Sequence, residues 1–160
     1  MPHPTEPIHA MSVRRVLVAI DGSPAAELAL SAAMTAIEEH NAAITLLVVV
    51  PEVPHGAGWP GTGPGFDPQT LQREAQRDAD ELLHRTLDRL PADLPVTTRQ
   101  RTGKPGPEIC AEAGEGDYDA ILLGARGIGR LGAVGGGSVS SYVLHHAKTT
   151  VIVVHPPREG

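Results

Sequence analysis

Glycines and hydroxyl side chains are concentrated between Gly124 and Ser140, in a stretch suited to binding phosphate. The stretch follows the apolar run Ala120–Leu123 and precedes a segment, Val139 to Ala147, whose pattern predicts a helix. A strand, a glycine-rich loop and a helix in this order can wrap backbone N–H groups around an anion. The helix dipole adds to the attraction at the same point. The spacing therefore predicts a nucleotide phosphate site.

The loop offers three kinds of group to a nucleotide. Glycines leave the backbone free to turn out of the strand and to approach the ligand closely. A serine at the start of the helix presents a hydroxyl, and arginines can pair with outer phosphates. A flexible glycine linker is the alternative interpretation. The residues concerned are Gly124, Gly127, Gly137, Ser138, Arg126 and Arg130.

Two familiar phosphate-binding motifs do not account for this loop. Residues 127–132 match G-x-G-x-x-G, but the helix does not follow directly, and no acidic residue lies about 20 positions further on. No G-K-[ST] occurs, and Lys148 follows the far end of the predicted helix. Phosphoryl transfer commonly uses such a lysine or a firmly held metal. The loop is therefore predicted to hold a nucleotide more than to cleave it.

Asp21 is the second candidate ligand-binding residue, because it follows the apolar run Val16–Ile20. A carboxylate at the end of a strand can accept hydrogen bonds from ribose hydroxyls or an adenine amino group, or help to hold a metal. The alternative is a turn-forming aspartate in Asp-Gly-Ser-Pro, whose side chain bonds its own backbone. Ser23 and Pro24 in this tetrapeptide predict the start of a helix.

The apolar pattern predicts five strands that alternate with four helices, which indicates an open parallel α/β sheet with helices on both faces. With strand order 3-2-1-4-5, Asp21 and Gly124 face one crevice outside the carboxyl ends of strands one and four. The first helix carries Leu28, Ala32, Ala36 and Ile37 at helical spacing. The predicted strands are Val16–Ile20, Ala43–Val50, Val96–Arg101, Asp119–Gly124 and Thr150–His155, and the predicted helices are Pro24–His40, Thr70–Leu90, Pro107–Ala113 and Val139–Ala147.

Length and composition bound the class of protein. A chain of 160 residues with net charge -6 and 2% aromatic residues is one domain without the basic footprint of a nucleic-acid binder. Neither a membrane-spanning run nor a signal peptide is visible, and the single cysteine suits a reducing compartment, so a cytoplasmic location is expected. Residues 1–12 are predicted to be a disordered tail, with Met11 as an alternative start, and residues 157–160 a short C-terminal tail.

Other residues with reactive side chains are weaker candidates. His145 and His146 are predicted at the surface, near the end of a helix. Cys110 is predicted to be a small core residue, and its acidic neighbours Glu108 and Glu112 would not stabilise a reactive thiolate. The Gly- and Pro-rich segment Pro51–Pro68 is predicted to be a long surface loop, and its Trp59 either covers a ligand or is simply exposed.

With these residues in hand, the chain resembles the universal stress protein family in its single-domain form. The family motif G-x2-G-x9-G-[ST] is matched at Gly124, Gly127, Gly137 and Ser138. The end of the first strand, Val18–Ser23, also resembles the family's opening segment. The resemblance covers residues 13–154, within an expected domain of residues 13–156.

The resemblance implies a five-stranded parallel sheet of order 3-2-1-4-5, of the adenine-nucleotide alpha-hydrolase-like type. It also implies a homodimer formed through the last strand, Thr150–Val154. No nucleic-acid or membrane partner is expected, on the charge and composition given above. ATP or another adenine nucleotide is the implied ligand, together with Mg²⁺. Adenine and ribose would be held by Asp21 and the backbone near Ala19 and Val49, and the phosphates by Gly127, Gly137, Ser138, Val139 and Ser140.

Three functions remain open at this point. The first is an ATP-binding regulatory protein of the stress response with little or no hydrolysis. The second is a slow ATPase or an autophosphorylating protein that uses Ser138 or Ser140 as acceptor. The third is a dimeric scaffold with a vestigial nucleotide site, because Gly135 and Gly136 stand where larger apolar residues are expected. The downstream protein partner is not indicated by the sequence.

Overall fold

The computed structural model describes residues 13–54, 63, 65, 67–125 and 138–156. The two terminal tails, Trp59 and loop residues 126–137 lie outside the described residues. Strands and helices alternate along the chain as predicted. The elements are β1 (Arg15–Ala19), α1 (Pro24–His40), β2 (Ala43–Val50), α2 (Pro68–Asp88), β3 (Val96–Thr102), α3 (Pro105–Glu115), β4 (Ala120–Gly124), α4 (Ser138–His146) and β5 (Thr150–Val154).

The five strands form one parallel sheet of order β3-β2-β1-β4-β5, which confirms the predicted order. β1 lies at the centre of the sheet, where Val18 is in register with Leu46 on one side and Leu122 on the other. Strands β3 and β5 form the two edges. The order places β1 and β4, whose connections leave in opposite directions, next to each other.

Helices cover both faces of the sheet, because successive side chains of each buried strand point to opposite faces. Val16 and Val18 of β1 pack in a cluster with residues of α1 and α2. Leu17 and Ala19 of the same strand pack in a second cluster with residues of α3 and α4. The α3/α4 cluster contains Ile109, Ala113 and Val143 at its centre, each of them buried.

The ends of the first two helices follow from side-chain capping. The Oγ atom of Ser23 accepts a hydrogen bond from the backbone N–H of Ala26 at 3.2 Å, which confirms the predicted start of α1. Helix α2 begins two residues before the predicted start, because Asp67 caps it and Pro68 takes the first helical position. The Asp67 side chain accepts from the Thr70 hydroxyl, and this hydrogen bond lowers the pKa of the carboxyl.

The predicted core face of α1 was only partly right. Ile37 is buried, but Leu28, Ala32 and Ala36 are partly exposed. The buried stripe is displaced around the helix toward small side chains, which lets α1 lie close to the sheet. The residues of that stripe are Ala25, Ala26, Ala29, Leu30, Ala33 and Ile37.

Helix α3 is longer than predicted, since Pro105 occupies its first turn and the helix continues to Glu115. Helix α1 and strand β2 have the predicted bounds, and the other boundaries differ from prediction by at most two residues, within the usual fraying of element ends. Within the described ranges, the structure contains no helix long and apolar enough to cross a membrane.

Candidate functional site

The carboxyl ends of β1 and β4 meet at one edge of the sheet. The two strands pair directly, with Leu17 in register with Ile121 and Val18 with Leu122. Asp21 comes two residues after β1, and Gly124 is the last residue of β4. The strand order thus brings these two predicted site residues to the crevice that open α/β sheets use for ligands.

The Asp21 carboxylate is half-buried and shapes its own turn. Its Oδ1 atom accepts a hydrogen bond from the backbone N–H of Ser23 at 2.9 Å. Between these residues Gly22 has a φ of 77°, a conformation that favours glycine. The turn-forming alternative is therefore present in the structure. Because a carboxylate can accept several hydrogen bonds, this turn orients the group without preventing a ligand contact.

Gly124 allows a close approach between β4 and the start of α1. A Cβ atom built on Gly124 would lie 2.4 Å from the carbonyl carbon of Ala25 and 2.7 Å from its Cβ atom. The φ of Gly124 is not positive, so glycine is required here by the close approach and not by its backbone conformation. The next residue continues the sheet, since the N–H of Ala125 donates to the carbonyl of Val154 at 2.9 Å.

Ala19 and Val49, two of the residues implied for the base and ribose, lie on the face of the sheet that α3 and α4 cover. Ala19 is buried, and Val49 is partly buried and packs against the α3/α4 cluster, as does Val139, which is implied for the phosphates. Ala19 is in register with Leu47, and the Leu47 carbonyl accepts a hydrogen bond from the N–H of Ile20 at 2.9 Å. The ends of β1, β2 and the first turn of α4 therefore converge on one face.

The first turn of α4 carries the serines implied for phosphate binding. Ser138 is exposed at the first position of the helix, one residue earlier than predicted. Ser140 is buried, with 9% of its surface exposed. The N–H groups and the positive end of the helix dipole are suited to an anion. The other predicted phosphate residues, Gly127, Gly137, Arg126 and Arg130, lie outside the described residues.

An arginine-centred network that sequence reasoning missed lies beside Val49. Arg101 of β3 is the register partner of Val49. Its Nε atom donates to Glu108 Oε2 at 2.7 Å, and its Nη1 atom donates to Glu115 Oε2 at 2.8 Å and to Glu112 Oε2 at 3.2 Å. The glutamates hold the pKa of Arg101 above its ordinary value, through Glu115 first and then Glu108.

The network ties α3 to the edge strand β3, and its central carboxylate is nearly inaccessible. Glu112 is buried, and it also accepts a hydrogen bond from the Tyr118 hydroxyl at 2.9 Å. Arg101 lowers the pKa of Glu115 by hydrogen bonding and by its charge. The signal in the sequence was the spacing of Glu108, Glu112 and Glu115 along one side of α3.

The two histidines lie at the surface, as predicted, whereas Cys110 is only partly buried. His145 and His146 are exposed, and their Nδ1 atoms lie 2.7 Å and 2.8 Å from the carbonyls of Ser141 and Tyr142. Cys110 packs against the α3/α4 cluster, where burial raises the pKa of its thiol. Among the described residues, no group of three or more His, Cys, Asp or Glu side chains is arranged to hold a metal.

A lysine that sequence reasoning passed over also lies at the carboxyl edge. Lys104 is exposed and immediately precedes α3, whereas Lys148 follows the end of α4, as predicted.

A separate cleft of about 270 Å³ lies between α2 and β3 and is lined by His84, Arg99 and their neighbours. None of the residues predicted to bind the nucleotide lines this cleft, so the cleft is separate from the candidate site.

Comparison with known proteins finds similarity to universal stress proteins. The model of the Universal stress protein family matches residues 12–155. The Universal stress protein Sll1388 of Synechocystis sp. is 28% identical over 152 residues, which cover 90% of this chain and 99% of that protein. Slr1101 of the same organism is 37% identical over 89 residues, which cover 56% of this chain and 82% of that protein.

Solved structures share the fold, and two of them contain nucleotides. UspA from Lactobacillus plantarum is 28% identical, with a TM-score of 0.72 over 89% of this chain and 97% of its own. A universal stress protein in complex with cAMP is 22% identical, with a TM-score of 0.54 over 90% of this chain and 98% of its own. A family protein from Arabidopsis thaliana with AMP bound is 18% identical, with a TM-score of 0.57 over 90% and 92%.

Proposed function

The chain belongs to the universal stress protein family, and from that premise we propose that it is an adenine-nucleotide-binding regulatory protein of the stress response. ATP with Mg²⁺ is the proposed ligand, with little or no hydrolysis. The related structures that contain cAMP and AMP support an adenine nucleotide as the class of ligand.

One observation carries this proposal: three separate segments converge at the carboxyl edge of the sheet. Asp21 follows β1, Gly124 ends the neighbouring strand β4, and α4 begins at Ser138 on the face that holds Ala19. The carboxylate of Asp21 can accept hydrogen bonds from ribose hydroxyls, and the N-terminus of α4 can bind phosphate. Gly124, which has no side chain, allows the backbone of α1 to lie close beside them. These groups are far apart in the sequence, so only the fold assembles them.

Each part of the nucleotide then has a proposed partner. Adenine lies against the backbone ends of β1 and β2, near Ala19 and Val49, whose side chains pack in the α3/α4 cluster. The Asp21 carboxylate accepts hydrogen bonds from the ribose hydroxyls. The phosphates bind the N–H groups and hydroxyls of the first turn of α4. The proposed phosphate-binding residues are Gly124, Arg126, Gly127, Arg130, Gly137, Ser138, Val139 and Ser140.

Mg²⁺ fits the chemistry of this donor set. Magnesium is usually held by one or two carboxylates together with the phosphates of the nucleotide, so it requires few ligands from the protein. Asp21 carries a carboxylate at the edge where the phosphates are proposed to lie, and holding the metal is the alternative to its role at the ribose. Bound magnesium would neutralise phosphate charge.

We also propose that two chains pair through β5. This strand forms one edge of the sheet, and Ile152 at its centre is 42% exposed. An exposed edge strand has unpaired N–H and C=O groups that a second copy can satisfy. An antiparallel pair of β5 strands would make a continuous ten-stranded sheet with a twofold axis near Ile152.

A cytoplasmic location completes the proposal. Support comes from the single cysteine, Cys110, since one cysteine forms no disulfide within the chain.

The proposal is tested with a matched pair of substitutions on α4. Ser138 and Ser141 are both exposed serines of this helix, but only Ser138 belongs to its first position. Ser138→Leu is expected to weaken ATP binding about tenfold or more, because a bulky side chain would cover the phosphate site. Ser141→Leu is expected to leave the affinity unchanged. Equal affinities of both variants and the unaltered protein would contradict the site, provided that all three unfold at similar temperatures.

A further inference from the structure

Helices α3 and α4 contact each other near the carboxyl edge of the sheet through Gly106 and Tyr142. Gly106 is buried in the first turn of α3, immediately after Pro105. Tyr142 is the fifth residue of α4 and is 36% exposed. The contact therefore joins the first turn of α3 to the middle of α4, the helix that carries the proposed phosphate-binding serines.

The contact leaves no space for a side chain on α3. A Cβ atom built on Gly106 would lie 2.7 Å from Cδ1, 2.9 Å from Cγ and 3.0 Å from Cβ of Tyr142. Rotation about χ1 would move Cδ1 and Cγ, but Cβ stays at 3.0 Å in every rotamer. We therefore expect a methyl group on Gly106 to push against helix α4 as well as against the tyrosine ring.

Tyr142 also contacts a residue of its own helix, His146. Its ring stacks on that of His146 with a centroid distance of 3.9 Å and an interplanar angle of 12°. The His146 Nδ1 atom lies 2.8 Å from the Tyr142 carbonyl. The stacking favours the present ring position, so we expect part of a displacement at Gly106 to pass to the helix.

The displaced part of α4 is the part that carries Ser138. Tyr142 follows Ser138 by four residues and Val139 by three, so the three residues share one side of the helix. Helix α4 has only nine residues, and Val143 anchors it to the sheet from the buried side. A shift at Tyr142 therefore moves the first turn of the helix relative to Asp21.

We propose that the Gly106–Tyr142 contact is a positioning element, which sets where the first turn of α4 stands and thereby tunes affinity for the phosphate part of the nucleotide. This inference rests on the proposed function. Its distinguishing consequence is selectivity between two parts of one ligand. Perturbing the contact weakens binding of the phosphates, whereas the residues on β1 and β2 that bind the base and ribose are not affected.

The experiment compares Gly106→Ala with Gly114→Ala, which lies on the same helix with nothing within 4 Å of its Cβ position. Dissociation constants for ATP with Mg²⁺ and for adenosine are measured by calorimetry on each variant. Gly106→Ala is expected to weaken ATP binding about fivefold or more and to leave adenosine binding unchanged. Gly114→Ala is expected to change neither. Equal losses for ATP and adenosine, or no loss for either, would overturn the inference.

A double-mutant cycle separates the contact from a general effect on folding. In a Tyr142→Ala background most of the obstructing atoms are gone, so Gly106→Ala is expected to have little further effect on ATP affinity. The same loss in both backgrounds would show that Gly106 acts without Tyr142. If Gly106→Ala does not fold, the comparison of Tyr142→Ala with Tyr142→Phe tests the inference instead. Only the alanine variant is expected to lower the ratio of ATP affinity to adenosine affinity, because phenylalanine keeps the ring.

The outcomes for the unaltered protein keep the two proposals apart. If it binds neither ATP nor adenosine, the proposed function itself fails. If it binds both, and the variants keep the same ratio of affinities, only the positioning role of the Gly106–Tyr142 contact fails.

Discussion

The last residue of β4, Gly124, lies so close to the start of α1 that a Cβ atom on it would come within 2.4 Å of the carbonyl oxygen of Ala25. The neighbouring atoms are backbone, which cannot rotate away. The first turn of α1 and the end of β4 are therefore packed without a gap beside the carboxyl edge, where Asp21 leaves β1. The same glycine is the first residue of the proposed nucleotide motif.

Gly124→Ala is expected to destabilise the protein by about 2 kcal/mol, because the added methyl group overpacks against the backbone of α1. The free energy of unfolding from urea titration measures the effect. Gly114→Ala is the matched control. Its Cβ would meet nothing within 4 Å, and alanine is the better helix former, so this variant is expected to gain up to about 1 kcal/mol. Equal effects of the two substitutions would contradict the packing argument.

Arg101→Met is expected to destabilise the protein by about 2 kcal/mol, because it leaves the buried Glu112 carboxylate with fewer partners. The matched control is Arg89→Met, since the Arg89–Glu27 pair at 2.7 Å has side chains that are 58% and 41% exposed. That exposed pair is expected to contribute less than about 1 kcal/mol. Urea titration of both variants measures the difference. A cost for Arg89→Met as large as that for Arg101→Met would contradict this assignment.

Acid stability is expected to depend on Glu115. Hydrogen bonding to Arg101 lowers the pKa of this carboxyl from its ordinary value of 4.5. A lowered pKa in the folded state means that the carboxylate stabilises the fold above pH 4.5 and that this contribution is lost as the pH falls through the lowered pKa. Glu115→Gln is therefore expected to be less stable at neutral pH and to lose less stability on acidification.

The measurement for this prediction is the free energy of unfolding from about pH 7 down to about pH 3, the range in which carboxylates titrate. Glu81→Gln, an exposed glutamate of α2, serves as the control and is expected to follow the unaltered protein. If Glu115→Gln and the unaltered protein lose stability in parallel between pH 5 and 3, Glu115 has no part in the acid transition.

Ile152→Lys is expected to convert the proposed dimer into a monomer, because two lysines near the twofold axis would repel each other and remove apolar contact area. Sedimentation velocity measures the assembly state. Leu71→Lys is the control, as Leu71 is similarly exposed, 39% against 42%, but lies on α2. A dimer that persists in Ile152→Lys would move the interface away from β5.

The strand order was predictable from the sequence, and so was the position of Asp21 and Gly124 at the same edge of the sheet. Alternation of strands and helices restricts the topology, and parallel strands bring their carboxyl ends to one edge. The cap at Ser23 was predictable as well, since capping depends on a few neighbouring residues.

Tertiary distances account for what the sequence did not predict. The close approach of Gly124 to Ala25 depends on how near α1 lies to the sheet, which the order of the residues does not indicate. The buried stripe of α1 includes Ala29 and Ala33 rather than Leu28, because small side chains allow that approach. The Arg101 network joins a strand to a helix, so neither the alternation of β3 nor the spacing within α3 indicated it alone.

Calorimetric titration of the nucleotide-stripped protein with ATP, with and without Mg²⁺, tests the central claim most directly. We predict one ATP site per chain, with an affinity that Mg²⁺ raises. ADP, AMP and cAMP, titrated under the same conditions, rank the contribution of each phosphate. Tighter binding of AMP or cAMP than of ATP would keep the site and contradict ATP as its ligand. No heat and no thermal shift with any of the four nucleotides would contradict the nucleotide-binding function itself.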